Sequence, residues 1–420
     1  MKKIIGLILI ASLCLPVALY GQLTIEECHR KAQENYPLAK QYGLIEKSKE
    51  YNLANANKGY LPQLSLSSRV TYQSDVTEIP VKVPGINIDT PRKDQYQATL
   101  QLDQVIWDGG TIRAQKKITG SKSETDRQQV EVNLYAVNER VNQLFFSILL
   151  LDDQLEQNKL LQDELERTYQ QVSAYAANGI ANQADLDAVK VEQLNTLQNR
   201  SSLEANRNAY REMLSALIGE QVDNSGKPVK PVMDGSLQSR EIKRPELDYY
   251  QAQQNLLESQ KKQLLTKSLP KLGFFVQGSV GNPGLNMLKN EFVPYYMAGV
   301  KLSWNIGSFY TKRDEKRLIE LDKQNINVQR ETFLFNTNLQ MTQTENEIGK
   351  LRKLMKDDDE IIRLRTNIRK AAEAKVANGT LTVTEMLREI TSEDLAKKNK
   401  SLHEIQLLME IYDLKYSTNN

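Results

Sequence analysis

The sequence predicts a mainly helical chain with a membrane β component, arranged as two tandem repeats of helix, strand pair, long helix and return helix. Three observations carry this. Ala-Asn-Gly occurs at 177–179 and again at 377–379, a spacing of 200 positions in a chain of 420 residues. Four runs of about ten residues alternate apolar and polar side chains, the period-2 signal of half-buried strands. Two proline-free stretches, 110–177 and 308–377, repeat apolar residues at helical spacing.

The chain opens MKKIIGLILIASLCLPVALYGQ, with Lys2 and Lys3 before an apolar core from Ile4 to Leu15 and the small Gly21 behind it. A positive start, a core too short to span a bilayer and a small residue describe an export signal over 1–21. Cys14 follows Leu13, where a lipoprotein cleavage site wants a small residue, so processing is expected near Gly21. The mature chain then keeps one cysteine, Cys28, which excludes an internal disulfide and a cysteine-built metal site. Basic and acidic residues nearly balance, 55 against 53, and are interspersed. Nothing resembles the basic stripe that nucleic acid requires, so no nucleic-acid partner is expected. Long Glu-, Gln-, Asn-, Lys- and Leu-rich stretches with 40% hydrophobic residues fit solvated helices with narrow apolar seams.

The first repeat is assigned to 22–218. Thr24 precedes a Glu-rich turn as an N-cap, and the helix runs to about Lys58 with an interruption near Pro37. Leu61-Pro62-Gln63-Leu64 then leads into strands at about 63–75 and 95–107, where Leu64, Leu66, Val70 and Tyr72 alternate with Ser65, Ser67, Arg69 and Thr71, and Tyr96, Ala98, Leu100 and Leu102 with Gln97, Thr99, Gln101 and Asp103. From Gly110 to Ala177 a long helix carries Leu134, Val137, Val141, Leu144, Ile148, Leu151 and Leu155 in 3/4 steps, a heptad seam. At 1.5 Å per residue it measures roughly 100 Å. A return helix covers 181–218.

A connector, 219–243, holds three glycines and two prolines and reads as exposed. The second repeat, 244–420, starts with Pro245 at the favoured first helical position and answers the earlier leader with Leu269-Pro270-Lys271-Leu272. Strands follow at about 271–281 and 294–305, then a long helix from Ser308 and a return helix over 381–416, with Leu402, Ile405, Leu408 or Met409, and Tyr412 in 3/4 steps. Gly179 and Gly379 suit the left-handed position that ends a helix, and Asn178 and Asn378 tolerate the same region, so each long helix reverses there into an antiparallel hairpin.

Any one of these strands also fits a soluble sheet with one wet face. Four of them in an exported chain, flanked by helices with no other sheet to join, favour a membrane barrel. Four strands cannot close one, because an open sheet in lipid leaves unpaired backbone groups at each edge. The barrel is therefore shared, and the polar inward set of Arg69, Gln101, Asp103, Gln277 and Lys301 prefers the wider lumen of three chains and twelve strands to the filled one of two chains and eight.

The order of helix, strand pair ending near a glycine ("IWDGGTIRAQKK", 106–117, and "SWNIGSFYTKRDEKR", 303–317), long helix, Asn-Gly turn with an acid six residues on (Asp185, Glu385) and return helix resembles the TolC-like outer-membrane efflux family across the whole mature chain. The resemblance implies a homotrimeric exit duct in the outer membrane, extending into the periplasm of a Gram-negative envelope. It joins a 12-stranded β-barrel in outer-membrane lipid to a periplasmic α-helical barrel. It serves a tripartite efflux pump or type I secretion system by passive conduction, its closed tip opened by an inner-membrane pump and its periplasmic adaptor, the membrane fusion protein. The resemblance makes the turns at Asn178, Gly179, Asn378 and Gly379 the tip. It makes Asp185 and Glu385 a gate that narrows the pore, with Arg388 standing one turn beyond Glu385 where relatives place a second acid. A Glu-Arg pair at i, i+3 is worth only about 0.2–0.5 kcal/mol on an exposed helix. Arg69, Asp103 and Lys301 fall to the barrel lumen, which reads as polar rather than chemically selective.

Two other readings stand beside this one. A periplasmic adaptor, or a structural coiled-coil protein of an export assembly, has one helical hairpin, whereas two are predicted here together with paired amphipathic strands. An exported enzyme finds little support: the only histidines, His29 and His403, lie in no Ser, Cys or HExxH context, and no Gly-rich phosphate loop occurs. No catalytic residue, cofactor or metal is expected.

Overall fold

A computed structural model describes residues 23–77, 90–222, 228–232 and 240–419. The export signal, with Cys14 and Gly21, and much of the connector lie outside the described residues. The chain is mostly helical. Its order is α1 (Ile25–Asn35), a 3-10 turn, α2 (Gln41–Lys58), β1 (Gln63–Tyr72), β2 (Asp94–Trp107), α3 (Thr111–Tyr135), α4 (Val137–Ala177), α5 (Gln183–Ile218), α6 (Pro245–Lys267), β3 (Lys271–Asn282), β4 (Val293–Ser303), α7 (Ser308–Ala377) and α8 (Val383–Thr418). Two compact units result, one from the chain up to Ala39 with Leu134–Ile242 and Thr337–Asn420, the other from Lys40–Asn133 and Lys243–Asn336.

The first unit is built on helices. Thr24 caps α1 by accepting from the Glu27 amide at 3.3 Å. The apolar face of α1 (Ile25, Cys28, Ala32) then meets Val141, Phe145, Phe146 and Ile148 of α4, Leu214 and Ile218 of α5, and Ile405, Leu408 and Tyr412 of α8 in one buried cluster. The seam from Val137 to Leu151 is buried because 3/4 spacing keeps these side chains on one side of α4, and Leu134 at the end of α3 is buried with it. Two expectations are corrected here. The first long helix is not continuous: it breaks at Ala136, whose ψ of −19° is tighter than an α-helix requires. At this break Tyr135 stacks on Tyr416 with ring centroids 4.8 Å apart and donates to the Tyr416 carbonyl at 2.6 Å. Nor is the connector wholly exposed. Val222 and Pro228 are buried, the Val229 amide donates to the Leu23 carbonyl at 3.1 Å, and Lys230 pairs with Glu404 at 2.7 Å.

The second unit carries one antiparallel sheet in the order β1-β2-β3-β4. Its register pairs Leu66 with Leu100, Leu100 with Gly278 and Val276 with Ala298. A bulge between Val105 and Trp107 interrupts the β2–β3 ladder. Among the described residues no helix is long and apolar enough to cross a membrane.

Candidate functional site

Both helical hairpins of the first unit turn by the same device. α4 ends at Ala177, Gly179 takes φ +74°, and the Ile180 amide reaches back to the Tyr175 carbonyl at 2.9 Å while the Gly179 amide reaches Ala176 at 3.1 Å. α7 ends at Ala377, Gly379 takes φ +66°, and the Thr380 and Gly379 amides each bond at 2.9 Å to Lys375 and Val376. These are Schellman closures, which satisfy carbonyls that a helix end leaves open. Asn178 and Asn378 add a side-chain bond of 2.7 Å to Ala174 and Ala374. A Cβ on Gly379 would meet nothing within 4 Å, so Gly379→Ala is expected to cost only the left-handed backbone penalty of about 1–2 kcal/mol. Gly349→Ala, inside α7 and equally unobstructed, should stabilise by up to about 1 kcal/mol. Thermal unfolding in detergent that moved both midpoints in one direction would contradict this account.

The acids after the turns are engaged. Asp185 and Glu385 stand at the third position of α5 and α8 and complete capping boxes: the Asn182 amide donates to Asp185 at 3.0 Å and the Thr382 amide to Glu385 at 3.1 Å, while the Asp185 and Glu385 amides return bonds of 3.2 Å. The Thr382 amide and hydroxyl together hold the Glu385 carboxyl below its usual range. The expected Glu385–Arg388 pair does not form. Glu385 is drawn back onto the cap, and Arg388, 74% exposed, lies 3.6 Å from Glu389. Below the caps, Val172, Val189, Val376, Val383, Met386, Leu387 and Ile390 form one buried cluster to which both hairpins contribute.

A charged network lies beside this cluster that no sequence motif announced. Arg369 of α7 reaches Glu393 of α8 at 2.5 Å and Glu164 of α4 at 3.0 Å, and also pairs with Glu373. Glu393, its side chain only 6% exposed, further accepts from Thr366 at 2.9 Å and from Lys397 at 2.7 Å. Burial opposes the Glu393 charge, but Lys397, Thr366 and Arg369 outweigh it and hold the carboxyl below its usual range. The histidines are structural: His403 Nδ1 lies 2.8 Å from Asp358, and His29 Nε2 lies 2.6 Å from Asn142.

In the second unit, register divides the sheet into two chemical faces. Arg69 pairs across to Gln97, Gln97 to Gly281 and Gly281 to Val293; Asp103 pairs with Phe275 and Phe275 with Gly299; Gly273 pairs with Lys301. Since residues two apart share a face, Arg69, Asp103 and Lys301 stand on one side, with Thr99 bonded to Ser279 at 2.9 Å, Gln97 to the Tyr295 hydroxyl at 2.8 Å, and Arg69 to Gln97 at 3.1 Å. Phe275 is an apolar exception on this face, its ring lying where a Cβ on Gly299 would be, 3.1 Å away. The opposite face holds Leu64, Leu66, Val70, Leu100, Leu102, Phe274, Val276, Val280, Tyr296, Val300 and Leu302. Leu66 is 76% exposed, Val70 70% and Leu302 68%. Its one charged residue is Asp94, at the strand end, tied to Arg92 at 2.8 Å.

An exposed apolar sheet face backed by a polar one is the pattern of a transmembrane β-barrel wall. Residues 30–220 match the family model described as outer membrane efflux protein. Among solved structures, the fold resembles the CmeC outer membrane channel of Campylobacter jejuni (TM-score 0.63, 13% identity, 94% of this chain and 85% of that one). It also resembles the outer membrane protein VceC of Vibrio cholerae (0.63, 12%, 94% of each) and the open-state MtrE outer membrane channel of Neisseria gonorrhoeae (0.65, 12%, 94% and 89%). At such identities the structural likeness is one of fold. No curated protein matches the sequence. The chain thus shares the fold of outer-membrane channels, and its residues 30–220 resemble the outer membrane efflux protein family.

Proposed function

We propose that three copies of the chain close a 12-stranded barrel in outer-membrane lipid, continued by a periplasmic helical barrel, and that this homotrimer is the passive exit duct of a tripartite pump or type I secretion system. A periplasmic adaptor and an inner-membrane pump are its partners. In this reading the export signal of 1–21 is removed, the segments 22–218 and 244–420 are tandem repeats joined by 219–243, and the turns at 178–179 and 378–379 with Asp185, Glu385 and Arg388 form the tip that gates the duct.

The observation that carries the proposal is the sheet. Its apolar face is uncovered, and its outer strands β1 and β4 each pair on one side only among the described residues. Lipid satisfies the face but not the edges, whose amide and carbonyl groups need a partner strand. α7 adds a second surface uncovered by the described residues, with exposed Leu318, Leu321, Val328 and Phe335 in heptad-compatible steps of 3, 7 and 7, as a neighbouring helix requires. Native mass measurement of the detergent-extracted protein should give three chains. A monomer, or a dimer with an eight-stranded barrel, would overturn the reading.

A further inference from the structure

The polar face of the sheet is not charge-neutral. Lys271 begins β3 opposite Ser303, on the same side as Gly273 and its partner Lys301, so three cations per chain, Arg69, Lys271 and Lys301, share the face with a single carboxylate, Asp103. All three cations are exposed. None has a carboxylate partner among the described residues: Arg69 is bonded to the neutral Gln97 amide, and Asp103 accepts from Gln101 at 2.8 Å. Asp103 stands two strands and a step along from Lys301, a separation of more than about 10 Å on a 4.8 Å strand spacing, beyond the screening length of about 8 Å at physiological salt. The carboxylate therefore does not cancel the lysines locally. Positions matter as well as count. Lys271 and Lys301 lie at the strand ends that join the helices, and Arg69 lies toward the hairpin end, so a solute passing along this face meets positive charge near both ends.

We propose that the barrel lumen is anion-attracting, admitting small anions and negatively charged cargo in preference to cations. This rests on the trimeric barrel proposed above, in which the excess of two positive charges per chain repeats three times around a narrow, low-dielectric wall, an arrangement that concentrates counter-ions.

The test is the reversal potential of the purified protein in planar bilayers under a KCl gradient, made on the full chain and again with R369A to relax the tip. The expected chloride-to-potassium permeability ratio is above about 2. It should fall below 1 in R69Q/K271Q/K301Q, which leaves Asp103 as the one charge on the face, and rise in D103N, with insertion unchanged because all four side chains face away from lipid. Channels that prefer potassium in both backgrounds, or a ratio unmoved by the triple substitution, overturn the lumen proposal while leaving the duct intact. Absence of any conducting step overturns the duct and the lumen proposal with it.

Discussion

Leu66→Arg is expected to abolish outer-membrane assembly, and Leu100→Arg to do the same, whereas Ser67→Arg leaves it largely intact. Leu66 and Leu100 are direct cross-strand partners on the uncovered apolar face, and Ser67 pairs with Thr99 on the polar one. A strand of 10 residues tilted in the usual way spans about 25 Å of membrane normal, which puts the Leu66–Leu100 pair near the bilayer midplane. Arginine there costs about 2–4 kcal/mol per chain, and the proposed trimer repeats the cost three times. Val70, two residues from the strand end and beside Tyr96, sits nearer the interface, where the same change costs about 1 kcal/mol or less. The measurement is the fraction of protein recovered as assembled oligomer in outer-membrane preparations. Equal loss for L66R and S67R would contradict the division of the sheet into a lipid face and a polar face, and loss for S67R alone would show the two faces exchanged.

Arg369→Ala should produce the largest change at the proposed tip. It removes the one side chain that contacts Glu164, Glu373 and Glu393 and so joins α4, α7 and α8. A buried ion pair that loses one partner is destabilised by about 3–5 kcal/mol; Lys397 and Thr366 still hold Glu393, so the lower end applies. The expected readout is a several-fold rise in single-channel conductance, with R369A/E393Q opening to a similar degree because the orphaned charge is gone but the link is not restored. Arg369→Lys should recover part of the closed state. Acid should act in the same direction. The Glu393 carboxyl titrates below its usual range when folded, so its contribution is complete above the unfolded pKa of about 4.3 and is lost as pH falls through the lower folded value. Conductance of R369A equal to that of the parent would move the constriction elsewhere.

Much of this architecture was legible because the relevant signals are periodic. Alternation has period 2, so Leu64–Tyr72 places every side chain of β1 on a face, and the recurrence of Ala-Asn-Gly marks two reversals by the residue type that adopts φ near +70° at least cost. The capping role of Asp185 and Glu385 is legible too, in Asn182-x-x-Asp185 and Thr382-x-x-Glu385. What did not show is what depends on tertiary partners. Arg369 and Glu393 read as ordinary solvated helix charges, since nothing in sequence marks which helix faces meet. The break at Ala136 has no proline or glycine to announce it. Phe275 reads against the alternation, because its place on the polar face depends on Gly299 across the strand pair, which leaves room for the ring.

The unpaired outer edges of β1 and β4 also bear on inheritance. In the proposed ring of three copies, each edge of one chain is completed by a sister chain, so a protomer with a proline on its β4 edge harms its neighbours as well as itself. When half of the chains in a cell carry such a lesion, random mixing leaves about one ring in eight intact. Edge mutations in this protein would therefore behave as dominant negatives, whereas lesions that unfold the chain before it meets its sisters would be recessive.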